Sequence, residues 1–345
     1  MKNFPLPRID GDEKLRKLLL PYCRFKEGDI WTDPFGKHKI GCITAEDSES
    51  IKKIIAGENS VLAIHDPPYN FVAFEERDLK KFIEWCNIWV KNSFEILADN
   101  SSLYIWLGAD QNNHFQPLPD FMVMMRNSGF DSRSFITMRN QRGYGTQKNW
   151  MAVRQELLFY TKGNPKFNIE AEYTDIPKIL KGYYKTVNGK ETENFERSKS
   201  EFIRAGNVWV DVQQVFYRME ENVNGCYAQK PLKAIERIIL SSSKPGEGVV
   251  DFFSHSGTTL LAAELTGRKC FTSDADPVFC EITLRRLENY RNTGLKGWQN
   301  SNPFENEILN DKKLKKYLNE KYNITFQEND EIKNNQKNKL KVVNE

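Results

Sequence analysis

Long apolar runs are missing from this 345-residue chain. No stretch approaches the length that spans a bilayer, and Met1-Lys-Asn-Phe-Pro5 lacks a signal-peptide core, so a cytoplasmic protein with no membrane partner is expected. Cysteine is sparse: Cys23, Cys42, Cys86, Cys226, Cys270 and Cys280 contain no C-x-x-C pair, which speaks against a zinc frame or a disulfide scaffold and for reduced thiols. The four histidines are scattered, so no metal centre is expected. A G-x-x-x-x-G-K-[ST] loop is also absent, which argues against ATP. Excess charge is nearly absent too; a net +3 says little about nucleic acid by itself.

The distribution of that charge says more. Residues 121–166 carry Arg126, Arg133, Arg139, Arg142, Lys148, Arg154, Lys162 and Lys166 against Asp131 and Glu156, a local +6 that leaves −3 on the remainder. A basic segment with interleaved aromatics is the footprint of phosphate contact, although a solvated surface gives the same count. Hydrophobic residues at 39% and aromatics at 12% suffice for a sizeable core.

The chain is organised around Val61-Leu-Ala-Ile-His-Asp66, an apolar strand stopped by Pro67-Pro68-Tyr69. Such a strand delivers a carboxylate, proline carbonyls without local donors and an aromatic face to the carboxyl edge of a sheet, where open α/β sheets bind ligands. Two acceptors beside a ring suit an NH2 group on a flat heterocycle. Upstream, the pattern predicts a strand over Lys37–Thr44 and a helix over Ser48–Ala56. Downstream it predicts an amphipathic helix over Asp78–Asp99, a strand at Ser102–Leu107 and a helix over Asp120–Asn127. This alternation argues for a parallel sheet covered on both faces.

Phe135–Gly163 reads as strand, loop and strand. The loop over Arg139–Trp150 offers Arg139, Asn140, Gln141, Arg142, Tyr144, Gln147, Lys148 and Asn149 for phosphates and base edges. Residues 164–206 lack clear periodicity and read as an inserted, partly irregular module. Regularity returns with Gln229-Lys230-Pro231 opening a helix to about Ser243. There follow a strand at Val249–Phe253, a small-residue loop Ser254-His-Ser-Gly-Thr-Thr259, a helix to Thr266, a strand Lys269–Asp274 and a helix Pro277–Tyr290. A tight small-residue loop before a helix, with an acid about twenty residues on, suits a nucleoside cofactor. The tail after Asn300 is polar, with weak order expected apart from one helix near Asp311–Tyr322.

Asp66-Pro-Pro-Tyr69 and Asp251-Phe-Phe-Ser-His-Ser-Gly-Thr-Thr259 together resemble the S-adenosylmethionine-dependent DNA amino-methyltransferases, in the group whose catalytic tetrapeptide precedes the cofactor loop. That family's loop runs Asp-Pro-Phe-x-Gly-Ser-Gly-Thr-Thr, so Phe252 stands for a proline and His255 for a glycine. Tyr227-Ala-Gln-Lys-Pro231 is similar to the family's His-Pro-Thr-Gln-Lys-Pro, Asp274 takes the place of a usual Glu, and Ile43-Thr44 stands where Gly-Asp is common. The likeness runs from about His38 to Tyr290. It implies an α/β, Rossmann-like methyltransferase fold with a mostly parallel sheet, helices on both faces and an inserted target-recognition region.

By the same resemblance the catalytic residues are Asp66, Pro67, Pro68 and Tyr69: Asp66 and the Pro67 carbonyl accept from the target amine while Tyr69 stacks on a flipped base. The cofactor S-adenosylmethionine is held by Asp66, Lys230, Asp251, Phe253, Ser254, His255, Ser256, Gly257, Thr258 and Asp274, with Lys230 on its carboxylate and Asp274 on its ribose. His255 reads as a tolerated loop residue facing solvent or cofactor, and Tyr104 and Trp106 as core aromatics. Asp at the first catalytic position points to N6-adenine in double-stranded DNA, with a cognate restriction endonuclease and a homodimer as further expectations. Rival readings are N4-cytosine, RNA or a protein glutamine as acceptor, and a catalytically silent DNA-binding subunit. The expected organisation is an N-terminal extension 1–36, a catalytic domain 37–163 plus 207–298, a target-recognition region 135–206 and a tail 300–345.

Overall fold

The computed structural model describes residues 6–68, 78–108, 116–146, 149–168, 173–177, 182–195, 201–299 and 301–326. Aspartates set where several helices begin, because an Asp side chain accepts a first-turn N–H that has no intrahelical partner. Asp12 caps α1 (Glu13–Leu19), Asp47 caps α2 (Ser48–Ile55) and Asp78 caps α3 (Leu79–Ile96). The strands of this half are β1 (Ile30–Thr32), β2 (His38–Cys42), β3 (Ser60–His65) and β4 (Ser101–Trp106), followed by α4 (Pro117–Met125). Asp276 and Asp311 likewise cap the later helices α7 (Pro277–Thr293) and α9 (Lys312–Tyr322). Between them in the chain lie β5 (Asp131–Thr146), β6 (Asn149–Lys162), β7 (Tyr173–Pro177), β8 (Gly182–Val187), β9 (Lys190–Phe195), β10 (Phe202–Arg204), β11 (Val208–Trp209), α5 (Leu232–Ser242), β12 (Gly248–Asp251), α6 (Thr258–Thr266), β13 (Lys269–Asp274) and α8 (Glu305–Asn310).

Nine strands form one sheet in the order β1-β2-β13-β12-β3-β4-β6-β5-β11. Its centre, from β2 to β4, is parallel, and β6 runs antiparallel to both β4 and β5. Parallel strands covered on both faces need apolar side chains pointing each way. Accordingly Leu62 and Ile64 pack into a core with α5 and α6, whereas Ala63 packs with Phe82, Cys86 and Trp89 of α3. The fold is therefore the expected α/β sheet.

Two expectations are corrected. Arg139–Trp150 is not a loop: β5 and β6 run through it as a hairpin, with register shifts around Tyr144. Gly143 and Gly145, which read as loop formers, sit at those irregularities, where a bulge suits glycine. Within the partly irregular insertion 164–206, β7 pairs with β10 and β8 with β9 through an Asn188-Gly189 turn in which both residues have positive φ. The segment after Asn300 holds α8 and α9, whose Ile308, Leu314 and Leu318 are buried against Leu15 and Leu19 of α1 and Ile282 of α7. Its polar composition hides a one-sided apolar stripe.

Pairing of β4 with β6 ends at Trp106 and Leu157, while β5 and β6 stay paired as far as Thr146 and Asn149. The hairpin thus continues past the carboxyl edge of the parallel strands by roughly 25 Å at ~3.3 Å per residue.

Candidate active site

Strand order turns outward in both directions from the β12–β3 pair, so the carboxyl ends of these two neighbours flank the switch point where α/β sheets hold ligands. Asp66 follows β3 and Asp251 ends β12. His65 ties the two ends together. Its Nδ1 accepts from the Phe252 N–H at 3.3 Å, and its Nε2 donates to Ser93 Oγ at 3.0 Å. Burial drives this imidazole down to about 3, so it stays neutral. Phe252 stacks on it with ring centroids 4.6 Å apart, which gives the aromatic a packing role at the family's proline position.

The strand ends open on a cleft lined by Asp66, Trp106, Lys230, Asp251, Phe253 and residues of the Ser254–Thr259 loop. Lys230 Nζ lies 2.6 Å from Asp66 Oδ2 and 5.4 Å from the centre of the Trp106 ring. The other carboxylate oxygen, Asp66 Oδ1, is buried with no hydrogen-bond partner among the described residues. Pro67 is buried and Pro68 half-buried behind it. Asp251 accepts from the Phe253 N–H at 2.9 Å, and burial, reinforced by the charges of Asp66 and Asp274, pushes its carboxyl up to about 7.

The Ser254–Thr259 loop turns through Gly257 at a φ of +72°, where an added Cβ would come within 3.0 Å of the Thr283 Cα, so a side chain there would be strained. His255 adopts φ 44° without being glycine. Its backbone N–H donates to Asp274 Oδ2 at 2.9 Å, and its Nε2 meets Asp10 Oδ1 at 2.5 Å. Burial alone would lower this imidazole, but the bond and charge of Asp10 raise it. His255 therefore bonds to the N-terminal segment while its partly exposed ring also lines the cleft, and the Asp10 partner is what the sequence did not reveal. Asp274 also accepts from the Asp276 N–H at 3.0 Å; burial holds its carboxyl up at about 6.

Two residues that support the site, Arg286 and Glu221, were not picked out from the sequence. Arg286, fully buried on α7, donates to Ser256 O (2.9 Å), Thr258 Oγ1 (3.0 Å), Glu221 O (3.0 Å) and Lys296 O (2.8 Å). It fastens the cofactor loop to the segment leading into Gln229-Lys230. Glu221 in turn accepts from the Leu232 N–H at the start of α5. Tyr104 and Trp106 are core residues as expected; Tyr104 is bonded to Ser242 Oγ at 2.8 Å, and the buried Trp106 also borders the cleft. An i+4 pattern search on α7 would have marked Arg286 as a buried charge on an apolar face.

The structure brings Asp66, Lys230, Asp251, Phe253, Ser254, His255, Ser256 and Thr258 to one cleft, with Gly257 and Asp274 supporting its loop. Arg139 is exposed on β5, and Asn140, Gln141, Arg142, Tyr144 and Asn149 lie along the projecting hairpin. Tyr69, Gln147 and Lys148 lie outside the described residues. Among the described residues no cluster of His, Cys, Asp and Glu has a metal-holding arrangement, and no helix is long and apolar enough to cross a membrane.

Comparison with known proteins agrees with this geometry. Residues 61–285 match the family model described as DNA methylase, of N6 and N4 amino-methyltransferases. The Type II methyltransferase M.HpaI of Haemophilus parainfluenzae is 26% identical over 238 residues, covering 67% of this chain and 69% of that protein. The DNA adenine methyltransferase YhdJ of Escherichia coli K12 is 28% identical over 268 residues, covering 74% and 84%. Among solved structures, the cytosine-N4-specific PvuII DNA methyltransferase superposes with a TM-score of 0.51 at 16% identity over 73% of this chain and 86% of that one, a likeness of fold. With the matched region containing the Asp66 strand, the cofactor loop and both flanking helices, the chain belongs to the N6/N4 DNA methylase family.

Proposed function

We propose that the protein methylates the N6 amino group of adenine in double-stranded DNA, acting on a flipped base. The coarser activity, transfer of a methyl group to an amino group of DNA from S-adenosylmethionine, follows from family membership. That cofactor supplies an electrophilic methyl group on a sulfonium centre. The cleft fits it: Asp251 is a buried carboxylate with no ion pair among the described residues, Lys230 is a cation lining the same cleft, and the loop before α6 is built largely from small residues. Asp251 would hold the ammonium, Lys230 the carboxylate, the Ser256–Thr258 backbone the methionine end and Asp274 the ribose.

The observation that carries the proposal is Asp66 Oδ1, which is buried in the wall of the cleft with no hydrogen-bond partner among the described residues. An aromatic amine has its lone pair delocalised into the ring. Acceptors at Asp66 and the Pro67 carbonyl favour a tetrahedral nitrogen and free that lone pair for in-line attack. Asp66 need not be a strong base, since the nitrogen becomes acidic only once it has attacked. Tyr69 would stack on the base, at the energetic cost of a few kcal/mol for unstacking it from the duplex. The Asp-first tetrapeptide and the likeness to an adenine enzyme favour adenine. Projecting from the same sheet edge, the basic β5–β6 hairpin suits contact with the target DNA, read by Arg139, Arg142 and the amides between Asn140 and Asn149. A restriction-modification setting with a cognate endonuclease, and a homodimer, are part of this reading.

Asp66→Ala tests the mechanism. Methyl transfer should fall by at least about 10^3-fold, as for loss of a positioned acceptor, with cofactor binding retained. Activity within tenfold of the parent would refute the role of Asp66.

A further inference from the structure

The Asp66–Lys230 pair is asymmetric in a way that bears on how the site is loaded. Lys230 has a side chain only 6% exposed, whereas Asp66 is 26% exposed. A cation this buried needs an anion beside it at all times, because an unpaired buried charge is far costlier than a paired one. Asp66, with water at hand, can give up its partner. Of the cations lining the cleft, His255 is engaged with Asp10 at 2.5 Å, which leaves Lys230 to meet the carboxylate of an incoming methionine group.

We propose that Lys230 is exchanged between two carboxylates: it neutralises Asp66 in the free protein and passes to the cofactor carboxylate on loading, so that the methyl donor itself uncovers Asp66 for the target amine. This inference rests on the proposed methyltransferase reading and adds to it a function for Lys230 as a positioning residue. Each state of the exchange leaves the lysine paired. With Lys230 present Asp66 Oδ2 is held by its ammonium while Oδ1 has no partner among the described residues; after the exchange the carboxylate, no longer neutralised, accepts one N–H of the exocyclic amine and the Pro67 carbonyl the other. Methyl donor therefore binds before the flipped base.

Exchange makes Asp66 a competitor of the cofactor carboxylate, and a binding cycle detects that competition without turnover. Dissociation constants are measured calorimetrically for S-adenosylmethionine and for decarboxylated S-adenosylmethionine, which keeps the ammonium and sulfonium. The proteins are the full chain, Asp66→Asn, Lys230→Met and the double variant. In Asp66→Asn the preference for the carboxylated form should rise at least about threefold; in Lys230→Met it should vanish, and adding Asp66→Asn to Lys230→Met should not restore it. An unchanged or reduced preference in Asp66→Asn would overturn the exchange, as would a rise that persists in the double variant, which marks plain charge repulsion. If the unaltered chain binds neither compound, the methyltransferase reading itself falls. Binding with an unaltered preference refutes the exchange alone.

Discussion

Asp251 sits where three carboxylates converge, and its proton is the clearest residue-scale reporter of cofactor binding. Burial pushes it up to about 7, so near neutrality the empty site holds a partly protonated acid. An ammonium docked beside it favours the ionised form and lowers its pKa. Binding therefore releases protons, increasingly as pH falls below 7, and affinity declines in the same direction. Calorimetry at pH 6 in buffers of different ionisation enthalpy should give a net release of about one proton per cofactor, largely lost in Asp251→Asn. Absence of release in the parent chain would place the ammonium elsewhere. The same scale shows what could be read from sequence. Asp66 was legible because it follows an apolar strand, and Asp251 because it opens the small-residue motif Asp251–Thr259. Asp10 was not, because its partner His255 lies 245 residues away and only folding joins them.

At the scale of elements, the cofactor loop is held from three sides: by β13 through Asp274, by α7 through Arg286 and by the N-terminal segment through Asp10. Removing the buried guanidinium strands the Ser256, Glu221 and Lys296 carbonyls, so Arg286→Met should cost about 3–5 kcal/mol and weaken cofactor binding. Urea denaturation checks the first effect; a loss under 1 kcal/mol would deny Arg286 this role. His255 offers a pH-dependent case. Its imidazole is raised by Asp10, with Asp274 and Asp66 also facing it. The pair therefore stabilises the fold fully below the ordinary histidine value of about 6.5 and loses that contribution as pH rises through the raised value. His255→Gly forfeits the pair but relieves a left-handed backbone worth about 1–2 kcal/mol. Its melting temperature should fall below the parent's at pH 6 and match or exceed it at pH 9. Sequence periodicity found most of these elements, since their faces alternate cleanly. It missed the length of the β5–β6 hairpin, because glycines that mark bulges in paired strands look the same as glycines in loops.

For the whole molecule, the two ends of the chain build a third core on the outside of α7. Asp12, held at about 2 chiefly by phenol bonds that overcome its burial, joins them: Tyr317 Oη lies 2.8 Å and Tyr322 Oη 2.6 Å from its carboxylate. Deleting residues 301–345 removes Phe304, Ile308, Leu314 and Leu318, at about 1.5–3 kcal/mol each, from a total margin of about 5–15 kcal/mol. The truncated chain should lose cooperative unfolding, or melt at least about 10 °C lower; a melting temperature within 2 °C of the parent's would make the tail dispensable. This layer was illegible in the sequence because its apolar residues are spaced thinly among Lys, Asn and Glu and find their partners only across the full length of the chain.

The most direct test incubates purified protein with unmodified genomic DNA and S-adenosylmethionine and then sequences the DNA with modification detection. The expected result is N6-methyladenine confined to one short motif, absent when Asp66→Ala replaces the parent. N4-methylcytosine in its place, or unmodified DNA despite demonstrated cofactor binding, would contradict the adenine assignment.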